Sequence, residues 1–460
     1  MLKPKFGWLT GIFSGLGDKA RQKAKRVSQN TFAPSGAGTA LPPKVMLVNL
    51  IEDTGGKVAE HVTESLNKFD GWEVYRIKQE LEVPLEGSLA ERLTAAAADG
   101  HMLMKEEGAD ILLWGEVDGE TLRLRFLPAI PSGDSQPGAF GLGDWLALPA
   151  QFGPELEEVL HVTVLAAVGP NFRGSRKRVG ERLAEKLQLV KGFLETMPED
   201  FTVEQKATVL TCIGNSFGAH SRLGGGGKRL GHAIATYKLA RALVSAETAP
   251  LVWAVTQSHL AAALKAKGIK TKESAPLKAA AVIYRQIADT LGRGEHPNDW
   301  ALAQLNLGQV LFKLAHMENQ TAYYEESGKA HEEALSVYTK EKMPARWAEV
   351  TDNHGVVLMT LGEMANANAT LEQAVMKLRK ALGVRDRNRF PQQWAQTANN
   401  LGAACFALGK RKSGMALLRE AISCFEGAQE IYDESGAKKR AEVIGKNLIR
   451  VERVLLQQSQ

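Results

Sequence analysis

A period of 47 residues constrains this chain more than any other feature. Trp253, Trp300, Trp347 and Trp394 follow one another at that spacing, each with a proline three positions earlier at Pro250, Pro297, Pro344 and Pro391. Small residues hold the same register at Gly214, Ala261, Gly308, Gly355 and Gly402. Two further columns agree, Ala233, Ala280, Ser327, Ala374 and Ala421, and Ala240, Ile287, Ala334, Ala381 and Ala428. Self-similarity at such a period marks a repeat array, in which each unit buries its apolar face against its neighbours. The columns define five units, 203–249, 250–296, 297–343, 344–390 and 391–437, of which the first lacks the Trp and the Pro. In the last unit Pro391 suits a helix start, and Trp394, Ala398, Leu401, Cys405 and Leu408 share one helical face. Gly409 is expected to end that helix, and Leu417, Ala421, Phe425, Ala428 and Tyr432 make the face of a second. A capping helix is expected over 438–460, with an apolar seam at Val443, Leu448, Val451 and Leu455.

Asn400-Leu401-Gly402, the closing Gly409, and the small-large-small set Ala421, Phe425 and Ala428 resemble the tetratricopeptide repeat. The unit departs from that family's 34 residues. About seven extra residues fall between Gly402 and Ala421 and six beyond, which lengthens the helices or their turn. The resemblance implies an all-α TPR-like helical solenoid with a concave groove. The residue two before the small column is Asn306, Asn353 and Asn400 in the last three units, with His259 and Cys212 before them. In tetratricopeptide arrays, asparagine here lines the groove and bonds the backbone of an extended peptide. A primary amide donates and accepts at once, so it reads a peptide bond whatever the side chains. The alternative is that each Asn satisfies a neighbouring helix. The call for a partner in register on an apolar helix is common to both.

Residues 44–152 differ in character. KVMLVNLI (44–51) reads as a buried strand, 58–69 as a helix, 72–79 as a strand, 88–107 as a helix, and 110–117 with 121–129 as a hairpin turning at Asp118-Gly119. The order β-α-β-α-β-β predicts a small α/β domain with helices packed on its sheet, so the chain is α+β overall. VNLIEDTGG, LNKFDGWEV and GADILLWGEV resemble the TolB-like amino-terminal domain that precedes helical repeats in many bacterial proteins, especially from alphaproteobacteria. That family brings no agreed catalytic residues. A Pro- and Gly-bearing loop over 128–152 holds one short strand near 145–148, and connecting helices are expected within 153–202.

The chain of 460 residues has a formal charge of +5, of which residues 1–30 supply +6. The basic balance therefore belongs to a tail joined by a flexible linker (1–43) and argues against nucleic acid as a partner. Trp8, Leu9, Ile12, Phe13 and Leu16 beside the following Lys and Arg give residues 6–26 two readings, a peripheral contact with an anionic inner membrane or a disordered tail weakened as a helix by its glycines. No run approaches the ~18 apolar residues of a membrane span. Cys212, Cys405 and Cys424 form neither a disulfide framework nor a zinc spacing, which fits a reducing cytoplasm, and no metal or cofactor is expected.

Three stretches invite other chemistry. Leu223–Arg229, LGGGGKR, fails as a phosphate loop because Arg222 stands where the first glycine belongs and Arg229 where Ser or Thr belongs. Asp53–Lys57, between strand and helix, offers backbone N–H groups to an anion. Arg385, Arg387 and Arg389 with Lys377, Arg379 and Lys380 suit an acidic peptide or a solvated helix end. The dispersed histidines sit in no nucleophile or metal motif. The expectation is a non-enzymatic scaffold binding a protein segment, against two alternatives: a signalling regulator whose α/β domain senses a small ligand or docks an enzyme, and, more remotely, an enzyme with its site between the domains.

Overall fold

The structure is a computed structural model that describes residues 42–86, 89–130, 132–133, 135–169, 176–194 and 197–458. The basic tail and the membrane contact expected at 6–26 lie outside the described residues. The fold is α+β, a small sheet domain followed by an array of TPR-like helical hairpins. Among the described residues one compact unit ends at Asp299 and the other begins at Trp300.

The first unit opens with a five-stranded sheet of order β2-β1-β3-β4-β5. Its strands are β1 (Lys44–Asn49), β2 (Glu73–Glu80), β3 (Ile111–Asp118), β4 (Thr121–Pro128) and β5 (Leu146–Pro149). β1 pairs in parallel with β2 and β3 because helices α1 (Lys57–Asn67) and α2 (Leu89–Glu107) make the two crossovers. The continuous apolar run Val45–Val48 is wholly buried, as a central strand covered on both faces requires. Met46 and Val48 pack with Leu93, Ala96 and Met104 of α2. Helix α3 (Pro154–Val168) meets α1 and β4. β3 and β4 form the hairpin, Asp118 opposite Thr121, and Gly119 supplies the φ of +59° that its tight turn needs.

α4 (Arg176–Phe193) leads into two helical hairpins, α5 (Val203–His220) with α6 (Gly226–Leu243), and α7 (Pro250–Thr271) with α8 (Ser274–Leu291). α5 lacks the proline of later units and starts instead with a capping box between Thr202 and Gln205. The remaining helices are α9 (Pro297–Glu318), α10 (Thr321–Leu335), α11 (Pro344–Met364), α12 (Asn368–Leu382), α13 (Pro391–Lys412), α14 (Met415–Glu434) and α15 (Lys438–Gln458). α15 covers α14 with Ala441, Ile444 and Val451 buried, so the apolar seam is centred on these residues, and Val443, Leu448 and Leu455 lie at its margins.

The small column is where paired helices approach. A Cβ on Gly214 would lie 2.4 Å from the Tyr237 ring, on Gly308 2.5 Å from His331, on Gly355 2.7 Å from Leu378 and on Gly402 3.0 Å from Phe425. Each large partner sits 23 residues after its glycine, so one interlocking contact recurs through the array.

Gly409 does not end its helix. α13 runs on to Lys412 and closes at Ser413, whose φ is +50°, with the Gly414 N–H donating to the Gly409 carbonyl at 2.9 Å. Gly409 instead admits Leu418, 3.0 Å from where its Cβ would stand. The same Schellman-type closure recurs 47 residues apart at Lys272, Asn319 and Asn366, all with positive φ. The extra length of the unit therefore falls largely in a first helix of 22 residues. A lysine held in the left-handed region costs about 1–2 kcal/mol. Lys272→Gly is accordingly expected to raise stability by about 1 kcal/mol in chemical denaturation, and a loss would assign the Lys272 side chain a part in the closure.

Candidate peptide-binding face

In the first unit the stretch between β4 and β5 lies along α5 and reaches α7. Gly138 rests where α5 leaves no room for a side chain: its Cβ would fall 2.2 Å from the Asn215 carbonyl oxygen and from the Ala219 nitrogen. Arg222, just past α5, donates to Gln136 Oε1 (2.7 Å), Ser132 Oγ (3.0 Å) and the Gly138 carbonyl (3.0 Å). Further along, Arg125 donates to the Leu142 carbonyl at 2.8 Å and stands between the Trp114 and Trp145 rings. Burial pulls its guanidinium below its usual range. Trp145 Nε1 donates to Glu204 Oε1 at 2.9 Å, and the Ala147 N–H donates to Thr208 Oγ1 at 3.1 Å. The segment thus runs from the carboxyl-terminal half of α5 to its amino-terminal half, antiparallel to the helix.

Asp144 is the anchor of the segment. It is 4% exposed, and its Oδ1 accepts from His259 Nε2 of α7 at 2.6 Å and from Asn215 Nδ2 of α5 at 3.4 Å. Its Oδ2 accepts from the Gly141 N–H at 2.6 Å, which shapes the turn before it. Tyr237 donates to Asn215 Oδ1 at 2.7 Å and stacks on the His259 ring. Burial, with Asp144 nearby, pushes the Tyr237 phenol well up, so it remains a donor. Cys212 directs its thiol at the Trp145 carbonyl. Both early members of the 47-residue column, Cys212 and His259, therefore face this segment of the chain itself. Nothing periodic in the sequence marks Asp144, Asn215 or Arg222; the excluded phosphate-loop stretch does begin beside Arg222.

In the second unit Asn306, Asn353 and Asn400 all lie inside their first helices, at 5%, 6% and 0% exposure. Asn400 Nδ2 donates to both oxygens of Asp352, at 3.1 and 3.2 Å, while its Oδ1 makes no hydrogen bond. Asn353 Nδ2 also makes none. Asp352 is 1% exposed, and burial holds its carboxyl above the ordinary range against the pull of Arg385, whose Nη1 is 3.9 Å from Oδ2. Arg385 itself donates to Thr397 Oγ1 (2.5 Å) and to the Gln393 carbonyl (2.8 Å). Of the basic stretch, Arg379 pairs with Glu420 and Arg387 with Glu430, so these cations tie one repeat to the next.

At the turn Asp53–Lys57 the chain brings its own carboxylate to the helix start. Asp53 accepts from the Val58 N–H (3.1 Å) and the Ala59 N–H (2.8 Å), as an anion at that helix start would. Beside it, at the carboxyl ends of β1 and β2, a cavity of about 480 Å³ is lined by Asn49, Asp53, Gly56, Arg76, Lys78 and Glu80. Arg76 crosses it, donating to Asn49 Oδ1 at 2.9 Å. Among the described residues no cluster of His, Cys, Asp and Glu is arranged to hold a metal, and no helix is long and apolar enough to cross a membrane.

No family model matches the chain, and no curated protein matches it. Among solved structures it is similar to a Rap protein in complex with competence and sporulation factor, at 13% identity over 66% of this chain and 77% of that one, with a TM-score of 0.32. A likeness of that size carries no argument about function.

Proposed function

We propose that this chain is a non-enzymatic interaction scaffold whose array binds an extended segment of a partner protein through Asn306, Asn353 and Asn400. What carries the reading is the behaviour of the same column in the first unit, where His259 and Cys212 bond a non-helical segment of the chain itself, through the Asp144 carboxylate and the Trp145 carbonyl. The unpaired Asn353 Nδ2 donor and Asn400 Oδ1 acceptor add to it. A buried polar atom without a partner costs about 1–3 kcal/mol, and a peptide backbone carries both the acceptor and the donor that these two atoms lack. On this reading 44–152 is a TolB-like domain, 153–202 couples it to five repeats at 203–437, 438–460 caps them, and the protein works in a bacterial cytoplasm without a cofactor.

The test is selection of linear peptides from a display library against the full chain. Selected peptides should bind the Asn306→Ala, Asn353→Ala, Asn400→Ala triple variant at least tenfold more weakly while its helicity persists. Equal binding by wild type and variant would overturn the reading. The single variants should separate binding from folding. Asn353→Ala removes no internal bond from its Nδ2 and should cost less than Asn400→Ala. Asn400→Ala strips the buried Asp352 of two donor contacts and should cost about 1–3 kcal/mol in urea denaturation.

A second reading rests on the cavity beside Arg76. Open α/β sheets bind ligands beyond the carboxyl ends of their strands, and a small ligand held there would make the sheet domain a sensor. A metabolite thermal-shift screen on the full chain and its Arg76→Ala variant tests it: a ligand that raises the Tm of the wild type alone supports it, and a screen without such a ligand removes it.

A further inference from the structure

We propose that the face formed by α5 and α7 is a binding site for turn-forming segments carrying a glycine and, six residues on, an Asp followed by an aromatic residue, and that Gly138–Trp145 is its resident, tethered ligand. The inference extends the reading that the 47-residue column recognises protein segments, and concerns α5 and α7, not the helices that carry Asn353 and Asn400.

Gly141 to Asp144 form a hydrogen-bonded turn whose approach to the helices is made by backbone and one carboxylate, while the buried Phe140 before it packs on Phe126 of β4. The helices supply a graded set of partners in order along the segment: Asn215 and Gly218 under Gly138, His259 and Asn215 at Asp144, Cys212 and Glu204 at Trp145, Thr208 at Ala147. The site is selective at each step. Any side chain at Gly138 meets α5 backbone, and an uncharged residue at 144 leaves His259 and Asn215 facing a weaker acceptor in a place sealed from water. The indole of Trp145 has a carboxylate for its N–H and the Arg125 cation for its face.

Tethering sets the strength of the competition. A short linker holds its ligand at an effective concentration of about 1 mM. A free segment of intrinsic Kd about 10 μM would then bind the intact chain about a hundredfold more weakly than a chain with the site open. A partner therefore gains this face only by displacing the loop.

The experiment uses the full chain and a labelled peptide spanning Gln136–Leu148. Asp144→Asn in the chain weakens the resident and should tighten peptide binding at least tenfold over wild type. His259→Ala added to that chain, or Asp144→Asn in the peptide, should reverse the gain. A second chain, with residues 138–143 replaced by Gly and Ser, should retain its helicity and bind the peptide up to a hundredfold better than wild type. No gain in either folded chain would overturn the proposal, and so would unfolding on loop replacement, since the segment would then be core. Peptides selected through the Asn353 face should bind these chains as they bind wild type, so the two readings fail separately.

Discussion

Gly138→Ala is expected to destabilise the unit that ends at Asp299 by about 2–5 kcal/mol. Two costs add. Gly138 has φ +68°, and an L side chain in that region pays about 1–2 kcal/mol. The new methyl would also lie 2.2 Å from the Asn215 carbonyl oxygen and the Ala219 nitrogen, backbone atoms inside α5 that cannot rotate aside. Relieving such an overlap by moving the segment typically costs a further 1–3 kcal/mol or so. Gly133→Ala supplies the control, because its Cβ would meet nothing closer than Gln136 at 3.9 Å. Urea denaturation of the two variants should separate them clearly. If Gly138→Ala proves as stable as Gly133→Ala, the loop does not lie against α5 as described.

Sequence and structure part along a physical line. Whatever depends on repetition or on local pattern was legible: the β-α-β-α-β-β order, the hairpin at Asp118, and the helix pairs whose Gly402-to-Phe425 contact recurs from Gly214 to Tyr237. What depends on backbone conformation shared by unlike residues was hidden. Lys272, Asn319, Asn366 and Ser413 close four equivalent helices in the left-handed region, yet three residue types fill the position, so no column appears. The seat of Gly138–Trp145 on α5 was hidden for another reason. A loop reads as Gly and Pro whether it faces water or a helix, and only the tertiary contact distinguishes them. The column of Asn306, Asn353 and Asn400 is visible as a pattern, while the carboxylate that Asn400 meets, Asp352, lies one residue outside it, where no repeat marks it.

Acid should weaken the unit that begins at Trp300 through two histidines that the fold keeps neutral. His331 and His354 are 1% and 2% exposed, and neither Nδ1 has a hydrogen-bond partner. Burial, then the neighbouring His354, pushes His331 down to about 3; burial, then Lys377, pushes His354 down to about 4. An unfolded chain takes up protons at these residues below about pH 6.5, whereas the folded one does not until far lower. Their contribution is therefore intact above pH 6.5 and is lost as the pH falls from there toward 4. At pH 5 each costs about 2 kcal/mol relative to pH 7, or about 4 kcal/mol together. Asp352 and Glu363 act in the opposite sense, because burial raises their carboxyls and the folded state binds those protons first. The net slope of the wild type is thus shallower than the histidines alone would give, and the difference between variants isolates them. The repeat itself names the replacements. The register position of His331 holds Phe425 two units later, packed over Gly402 as His331 is over Gly308. The register position of His354 holds Leu307 and Leu401. His331→Phe with His354→Leu should therefore keep the packing and lose the charge, so that the gap in stability between double variant and wild type widens by about 4 kcal/mol between pH 7 and pH 5 in urea denaturation. A double variant that weakens with acid as steeply as the wild type would mean that these rings do not govern the response.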